Sequence, residues 1–401
     1  MNPREAPSER SLILVLGLIA ALGPLTIDMY LPALPSIGAA LGADDGAVQL
    51  SLAAYFLGLS MGQLVYGPLA DRYGRRPPLL VGLALYVVGS LGCAAAPTIE
   101  ALIACRFVQA LGGCAGIVVS RAIVRDLYAR EQAARVYSRL MLVMGAAPIV
   151  APLLGGLLSA TSGWRSIFMV LAGVGVVTIA LTARTIAETL APRESTPDGA
   201  PARVLTSYRE VLRDRGFVAF ALAGGIAQAG MFAYITGSPY VIIEHFRRGP
   251  NFFAWMFGLN ALGLIAASQV NGRLLARGFS SERVLGCALV ALCIAGAGLL
   301  AAALSGAELG WVLAPLFLYV SALGFTFPNA AACAMADQGS RAGSASALLG
   351  TLQFVIASIC SAAVSRLGGG PVGLALVVAT CGAGAAISFV SLRPRGNPAG
   401  R

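Results

Sequence analysis

Apolar positions in this chain do not alternate with polar ones; they run on continuously, in stretches long enough to cross a bilayer. Twelve such runs can be marked, at 12–36, 48–70, 78–97, 100–120, 136–160, 165–187, 216–240, 252–275, 284–304, 310–334, 342–366 and 371–392. About 20 apolar residues in a helix span the hydrocarbon core. Strands of a membrane barrel would instead read apolar and polar at period two. The pattern therefore predicts an all-α membrane protein with twelve transmembrane helices. The first run is read as a span and not as a cleaved leader: it is long, it carries an acid, and it leads into further spans.

One long polar interruption breaks the series. "ETLAPRESTPDGAPARVLTSYREVLRDRG" (188–216) is rich in Pro, Ser and Thr, the composition of a flexible linker, and its end near "YREVLRDR" predicts a short helix. It divides the spans six and six, giving an N-terminal bundle over 1–187, a linker over 188–215 and a C-terminal bundle over 216–401. A weak repeat supports the division. "GPLADRYGRR" from Gly67 and "GRLLARGFSS" from Gly272 share Gly, Leu and Arg at their first, third and sixth places. The second copy has Ala276 where the first has Asp71.

Composition narrows the picture. Of 401 residues 57% are hydrophobic and 11% charged, with mean hydropathy +0.79; soluble domains carry about 25% charged residues. The net charge of +10 comes from 28 basic residues, all arginine. Nucleic acid is not implied, because the arginines are sorted by loop: 23 of the 28 fall on one side if the N-terminus is inside. This positive-inside asymmetry predicts that both termini are cytoplasmic. Trp164, Trp255 and Trp311 fall at the opposite ends of spans, as an interfacial aromatic belt would. The eight cysteines have no CxxC spacing and read as small buried hydrophobes; the single histidine, His245, has no partners for a metal site. No metal, cofactor or enzymatic constellation is expected, and no GxxxxGK[ST] phosphate loop occurs.

Three places carry polar chemistry inside or between the spans. "LTIDMYLP" places Asp28 in an otherwise uncharged run, about two turns from the outer end. Arg106, in "LIACRFVQALGGCAG", lies at similar depth in the fourth span. Ionisable groups at such depth face protein or water rather than lipid. Two readings stand: neighbours across a water-filled cavity, or a buried pair and backbone hydrogen bonds that fix helix packing. Between the second and third spans, "GPLADRYGRRPP" gathers Gly67, Asp71, Arg72, Gly74, Arg75 and Arg76. Glycines allow a tight turn there, and Asp71 is expected at the start of the third span, where the helix dipole favours an acid. In the fifth span, "MGAAPIVAPLLGG" holds Gly145, Pro148, Pro152, Gly155 and Gly156: small residues four apart for close helix approach, and prolines that bend. Pro24, Pro32 and Pro35 interrupt the first span in the same way. The bends suit rocking helices, or packing alone.

On these residues the chain resembles the major facilitator superfamily over essentially its full length. The 67–76 turn, the arginine in span four and the Pro/Gly-rich span five match the three signatures of its drug:proton antiporters. "LTIDMYLPALP", "GQLVYGPLADRYGRRP", "VRDLY" (124–128) and "GMFAYITGSPYV" (230–241) are similar to the bicyclomycin/chloramphenicol-resistance (Bcr/CflA) group of bacterial inner-membrane exporters. The resemblance implies two six-helix bundles around a central cavity, alternating in access. It implies that Asp28 is the protonatable residue, Arg106 its partner, and Gly67–Arg76 the cytoplasmic gate, with Asp71 held through Arg121, Arg125 or Arg341. Some relatives carry a second acid two turns earlier in span one, where this chain has Ala20, so proton stoichiometry is not fixed by the resemblance.

Tyr30, Tyr55, Gln109, Gln228, Phe232, Tyr234, Asn260, Tyr319 and Gln353 are polar or aromatic residues in spans; each reads as cavity lining or as an interhelical contact. The function expected is proton-coupled export of multiple small molecules by a monomer in the inner membrane, its partners being substrate, protons and lipid. The alternative is proton-coupled import or export of one metabolite.

Overall fold

A computed structural model of the chain describes residues 9–128, 130–189, 200–368 and 370–392, excepting the side chains at 9, 10, 125, 130–135, 137–145, 200–205 and 340. Residues 190–199, much of the expected linker, lie outside the described residues. The described residues are helical, with no strand among them. The first half runs α1 (Glu9–Asp28), a 3-10 turn (Leu31–Ala33), α2 (Leu34–Leu41), α3 (Asp45–Tyr73), α4 (Arg76–Ala95), α5 (Ile99–Leu127), α6 (Arg130–Ser162) and α7 (Arg165–Thr185). There follow α8 (Ala200–Arg213), α9 (Arg215–Pro239) with a π-helical end (Tyr240–His245), and α10 (Pro250–Ala276). The chain closes with α11 (Ser281–Leu304), α12 (Leu309–Met335), a 3-10 turn (Gly339–Arg341), α13 (Ala342–Arg366) and α14 (Pro371–Leu392).

Each predicted apolar run falls on a helix. Eleven spans are long and apolar enough to cross a membrane among the described residues, α1 and α2 counting as one, Ser11–Leu41. The remaining run lies on α6, whose described apolar part is Ala146–Ser162. Large apolar side chains such as Val81, Ile294 and Val390 are about two-thirds exposed, as lipid-facing residues are in a chain whose solvent is a bilayer. The short helix expected near "YREVLRDR" is α8.

Local chemistry sets the ends. Asp44, Thr98, Asp214 and Ser280 cap α3, α5, α9 and α11 by accepting from backbone N–H groups one turn on. Gly74, at φ 89°, makes the turn from α3 to α4. Pro32 has no N–H to donate and Pro35 follows, so the first span breaks into α1, turn and α2, with Asp28 the last residue of α1.

Contacts divide the chain into two units, Met1–Ser195 with Arg248–Gly258, and Thr196–Arg247 with Leu259–Arg401. In the first, α5 is packed by α3 and α4, α7 lies on α4, and α1 packs on α5, α6 and α7. Glycine sets two of these contacts. A methyl on Gly89 of α4 would come within 2.5 Å of the Gln109 backbone on α5, and one on Gly155 of α6 would collide with the Met29 backbone at the break in the first span. In the second unit α9 packs against α12, α13 and α14, with α11 on α12 and α14. Two expectations are corrected. Trp164 is buried, edge-on to Phe168 and covered by Arg165, so it is not part of a lipid-facing belt. All eight cysteines are free thiols, but only Cys93, Cys114 and Cys381 are buried; Cys105, Cys293, Cys333 and Cys360 are half-buried and Cys287 is exposed.

Candidate functional site

Arg106 is fully buried within the first unit. Its guanidinium carbon lies 4.3 Å from the Tyr55 ring centroid, 4.5 Å from Tyr30 and 5.8 Å from Phe168. A desolvated cation gains about 2 kcal/mol or more from an aromatic face. Nη1 donates to Gln109 Oε1 at 2.7 Å and to the Thr26 carbonyl at 3.3 Å. Gln109 Nε2 donates to Ser90 Oγ at 2.8 Å, an approach that the close packing at Gly89 permits. Ser51 donates its hydroxyl to the Val48 carbonyl, so the Tyr30 hydroxyl donates to Ser51. By the same count Thr26 donates to the Leu22 carbonyl and Tyr86 donates to Thr26. Arg106 Nε and Nη2 have no hydrogen-bond partner.

Asp28 is 5% exposed and is the only buried carboxylate among the described residues. It makes no ion pair with Arg106. Instead the arginine holds Thr26 and Tyr30, the residues two before and two after Asp28. Among the described residues no cation pairs with the Asp28 carboxylate. Of the fifth-span motif, Pro148 and Pro152 lie inside α6, Gly155 seats the α1 break, and Gly156 has Pro32 at contact distance, 4.0 Å. Gly145 falls within the stretch of α6 whose side chains lie outside the described residues.

The 67–76 turn joins α3 to α4, and it differs from expectation in two respects. Asp71 sits in the last turn of α3 and not at the start of the next span. Its carboxylate pairs with Arg75 at 2.5 Å and not with Arg121; the Arg125 side chain lies outside the described residues. The acid at the N-terminus of α4 is Glu188, past the end of α7, which accepts from the backbone N–H of Arg75 (2.7 Å) and Arg76 (3.1 Å). Arg75 Nε also donates to Asp126 at 2.7 Å, and Arg76 Nη2 to the Ala183 carbonyl. Of the two glycines only Gly74 makes the turn; Gly67 lies inside α3 with open space where a Cβ would sit, and Arg72 lies over the Tyr73 ring. Asp126 and Glu188 were missed because an acid at a span end reads as ordinary loop charge; Asp126 does lie in "VRDLY".

Of the other polar candidates, Tyr30, Tyr55 and Gln109 belong to the Arg106 cluster. Within the second unit, the Tyr234 hydroxyl accepts from Asn260 Nδ2 at 2.7 Å, and Tyr319 donates to the Ala227 carbonyl at 3.1 Å, beneath Gly230. Phe232 meets Phe354 at 5.7 Å between centroids, Gln353 is buried on α13, and Gln228 Oε1 on α9 has no partner. A buried amide pair, Asn329 donating to Asn271 at 2.6 Å, was not foreseen.

An all-helical chain with this many bilayer-length spans is a multi-pass membrane protein. Residues 16–362 match the sequence profile of the Major Facilitator Superfamily. The chain is 40% identical to an uncharacterized MFS-type transporter, YdgK of Bacillus subtilis, over 88% of this chain and 87% of that one. It is 30% identical to a bicyclomycin resistance protein homolog of Haemophilus influenzae, over 88% and 89%. Its fold superposes on a D-xylose–proton symporter with TM-score 0.76 at 14% identity, covering 96% of this chain and 98% of that one. The chain belongs to the Major Facilitator Superfamily and, through these relatives, to its bicyclomycin/chloramphenicol-resistance (Bcr/CflA) group.

Proposed function

We propose that the protein is a proton-coupled exporter of small neutral or singly charged compounds across the bacterial inner membrane. Its halves, 1–187 and 216–401, alternate access about a linker at 188–215, and both termini are cytoplasmic. The observation that carries this reading is Asp28, the one buried carboxylate among the described residues, at a helix break, with Arg106 bound to Thr26 and Tyr30 on either side of it. With Asp28 protonated, Arg106 stays braced on Gln109 and the tyrosine faces. When substrate entering from the cytoplasm displaces that proton to water, the carboxylate draws the unused Nε and Nη2 donors, and the strain moves α5 against α1. Substrate release outside lets Asp28 take an outer proton and resets the site. The network at Asp71, Arg75, Asp126 and Glu188 fastens the cytoplasmic ends through part of the cycle.

The arginine asymmetry supports the orientation, and the name of the Haemophilus relative supports drug export. Everted vesicles with an imposed pH gradient test direction: acid-inside vesicles should accumulate a neutral antibiotic such as chloramphenicol. Accumulation that appears only when the gradient is reversed would make the protein an importer.

A further inference from the structure

The junction of α8 and α9 presents a face that no described part of the chain covers. On α8, Val211 is fully buried and Tyr208 packs beside it, in a cluster with Phe217, Ala334 and Leu348. Glu210 pairs with Arg341 at 3.4 Å. Arg209 and Arg213, four apart and hence on one face, are exposed; Leu212 beside them is 47% exposed, and Arg215 is exposed one residue past the junction. Among the described residues no acid pairs with Arg209, Arg213 or Arg215. The face thus carries three cations and one large apolar side chain.

Asp214 joins this face to the span that follows. Asp214 is the whole of the connection between α8 and α9. Its Oδ1 accepts from the backbone N–H groups of Gly216 and Phe217 at 2.8 and 3.2 Å, and its Oδ2 from Gln338 Nε2 at 2.7 Å. Gln338 is itself buried, in the turn before α13. The arginines are therefore held where a bilayer-length span, Arg215–His245, begins. Guanidinium groups at that level meet lipid phosphates, which they can bind bidentately, while an adjacent leucine reaches the acyl boundary.

We propose that Arg209, Arg213, Arg215 and Leu212 form a docking surface for anionic phospholipid headgroups, which ties the inter-half connection to the composition of the leaflet. A juxtamembrane arginine gains about 1 kcal/mol near an anionic surface. An acidic protein partner would match the cations but gives no reason for the exposed leucine at the start of a span. The inference does not depend on what is transported or in which direction.

The test uses the full chain bearing Leu212→Cys labelled with a nitroxide, with the unsubstituted chain labelled in parallel as background. Accessibility to oxygen and to a nickel chelate is compared in nanodiscs of phosphatidylcholine alone and of phosphatidylcholine with phosphatidylglycerol. Phosphatidylglycerol should raise the oxygen-to-chelate ratio about two-fold, as insertion at the acyl boundary does, and 1 M salt should cancel the rise. Adding R209Q, R213Q and R215Q, all at exposed positions, should return the ratio to its value in phosphatidylcholine. An equal ratio in both lipids, or a rise that survives the triple substitution, would overturn the proposal. So would shielding from the chelate in native membranes but not in nanodiscs, which would assign the face to a protein.

Discussion

A guanidinium sealed from water is costly unless each of its donors and faces is met. Arg106 is met in part: Nη1 is bound and two rings cover its faces, while Nε and Nη2 are unused. Gln109 is the side chain that accepts its short hydrogen bond. Gln109→Leu should lower the stability of the purified protein by about 1–3 kcal/mol, the cost of leaving a buried donor unmade, read as a fall in its thermal unfolding midpoint. Gln109→Glu keeps an acceptor and adds a charge, so it should fold well yet pin Arg106 and abolish pH-driven transport in vesicles. A Glu variant that transports normally would show that Arg106 need not move. Asp28 and Arg106 were legible in the sequence because a charge in an apolar run has few explanations. The task of Gln109 was not, since a buried amide reads equally as cavity lining or as a brace, and only the 2.7 Å contact decides.

The twelve runs were legible as helices from length and continuity alone, and the break in the first span from its prolines. Which glycine serves which neighbour was not, because that depends on packing between helices far apart in sequence. Gly155 and Gly156 look alike in "PLLGG", yet only Gly155 lies against the Met29 backbone, while Gly156 has its nearest neighbour at 4.0 Å. Gly155→Ala should cost about 1–3 kcal/mol by overpacking, and Gly156→Ala little. Size-exclusion profiles of the two variants in detergent, before and after mild heating, would show the difference; equal behaviour would contradict the packing described. The 67–76 turn yields a similar contrast. The Asp71 side chain is 62% exposed and that of Asp126 is 16% exposed, although both pair with Arg75. Asp71→Asn should change stability by less than about 1 kcal/mol, and Asp126→Asn by more. Reaction of a cysteine introduced near the α5 end with an aqueous maleimide should rise further in the Asp126 variant. The reverse order would remove Asp126 from the network.

At the scale of the whole molecule, charge limits what can be carried. Asp28 is the only buried carboxylate among the described residues. A dication entering such a protein would lack the two counter-charges needed to replace its hydration. Expression in a host stripped of its own pumps should therefore raise tolerance to neutral antibiotics and little to dicationic dyes; protection against dications alone would contradict the charge count. The central claim is that Asp28 carries the proton that drives export. The most direct measurement compares wild type and Asp28→Asn in everted vesicles, following uphill accumulation of a neutral substrate on an imposed pH gradient alongside binding of that substrate to the purified proteins. The Asn variant should bind within a few-fold of wild type and accumulate nothing against the gradient, whereas uphill accumulation by Asp28→Asn would place the proton elsewhere.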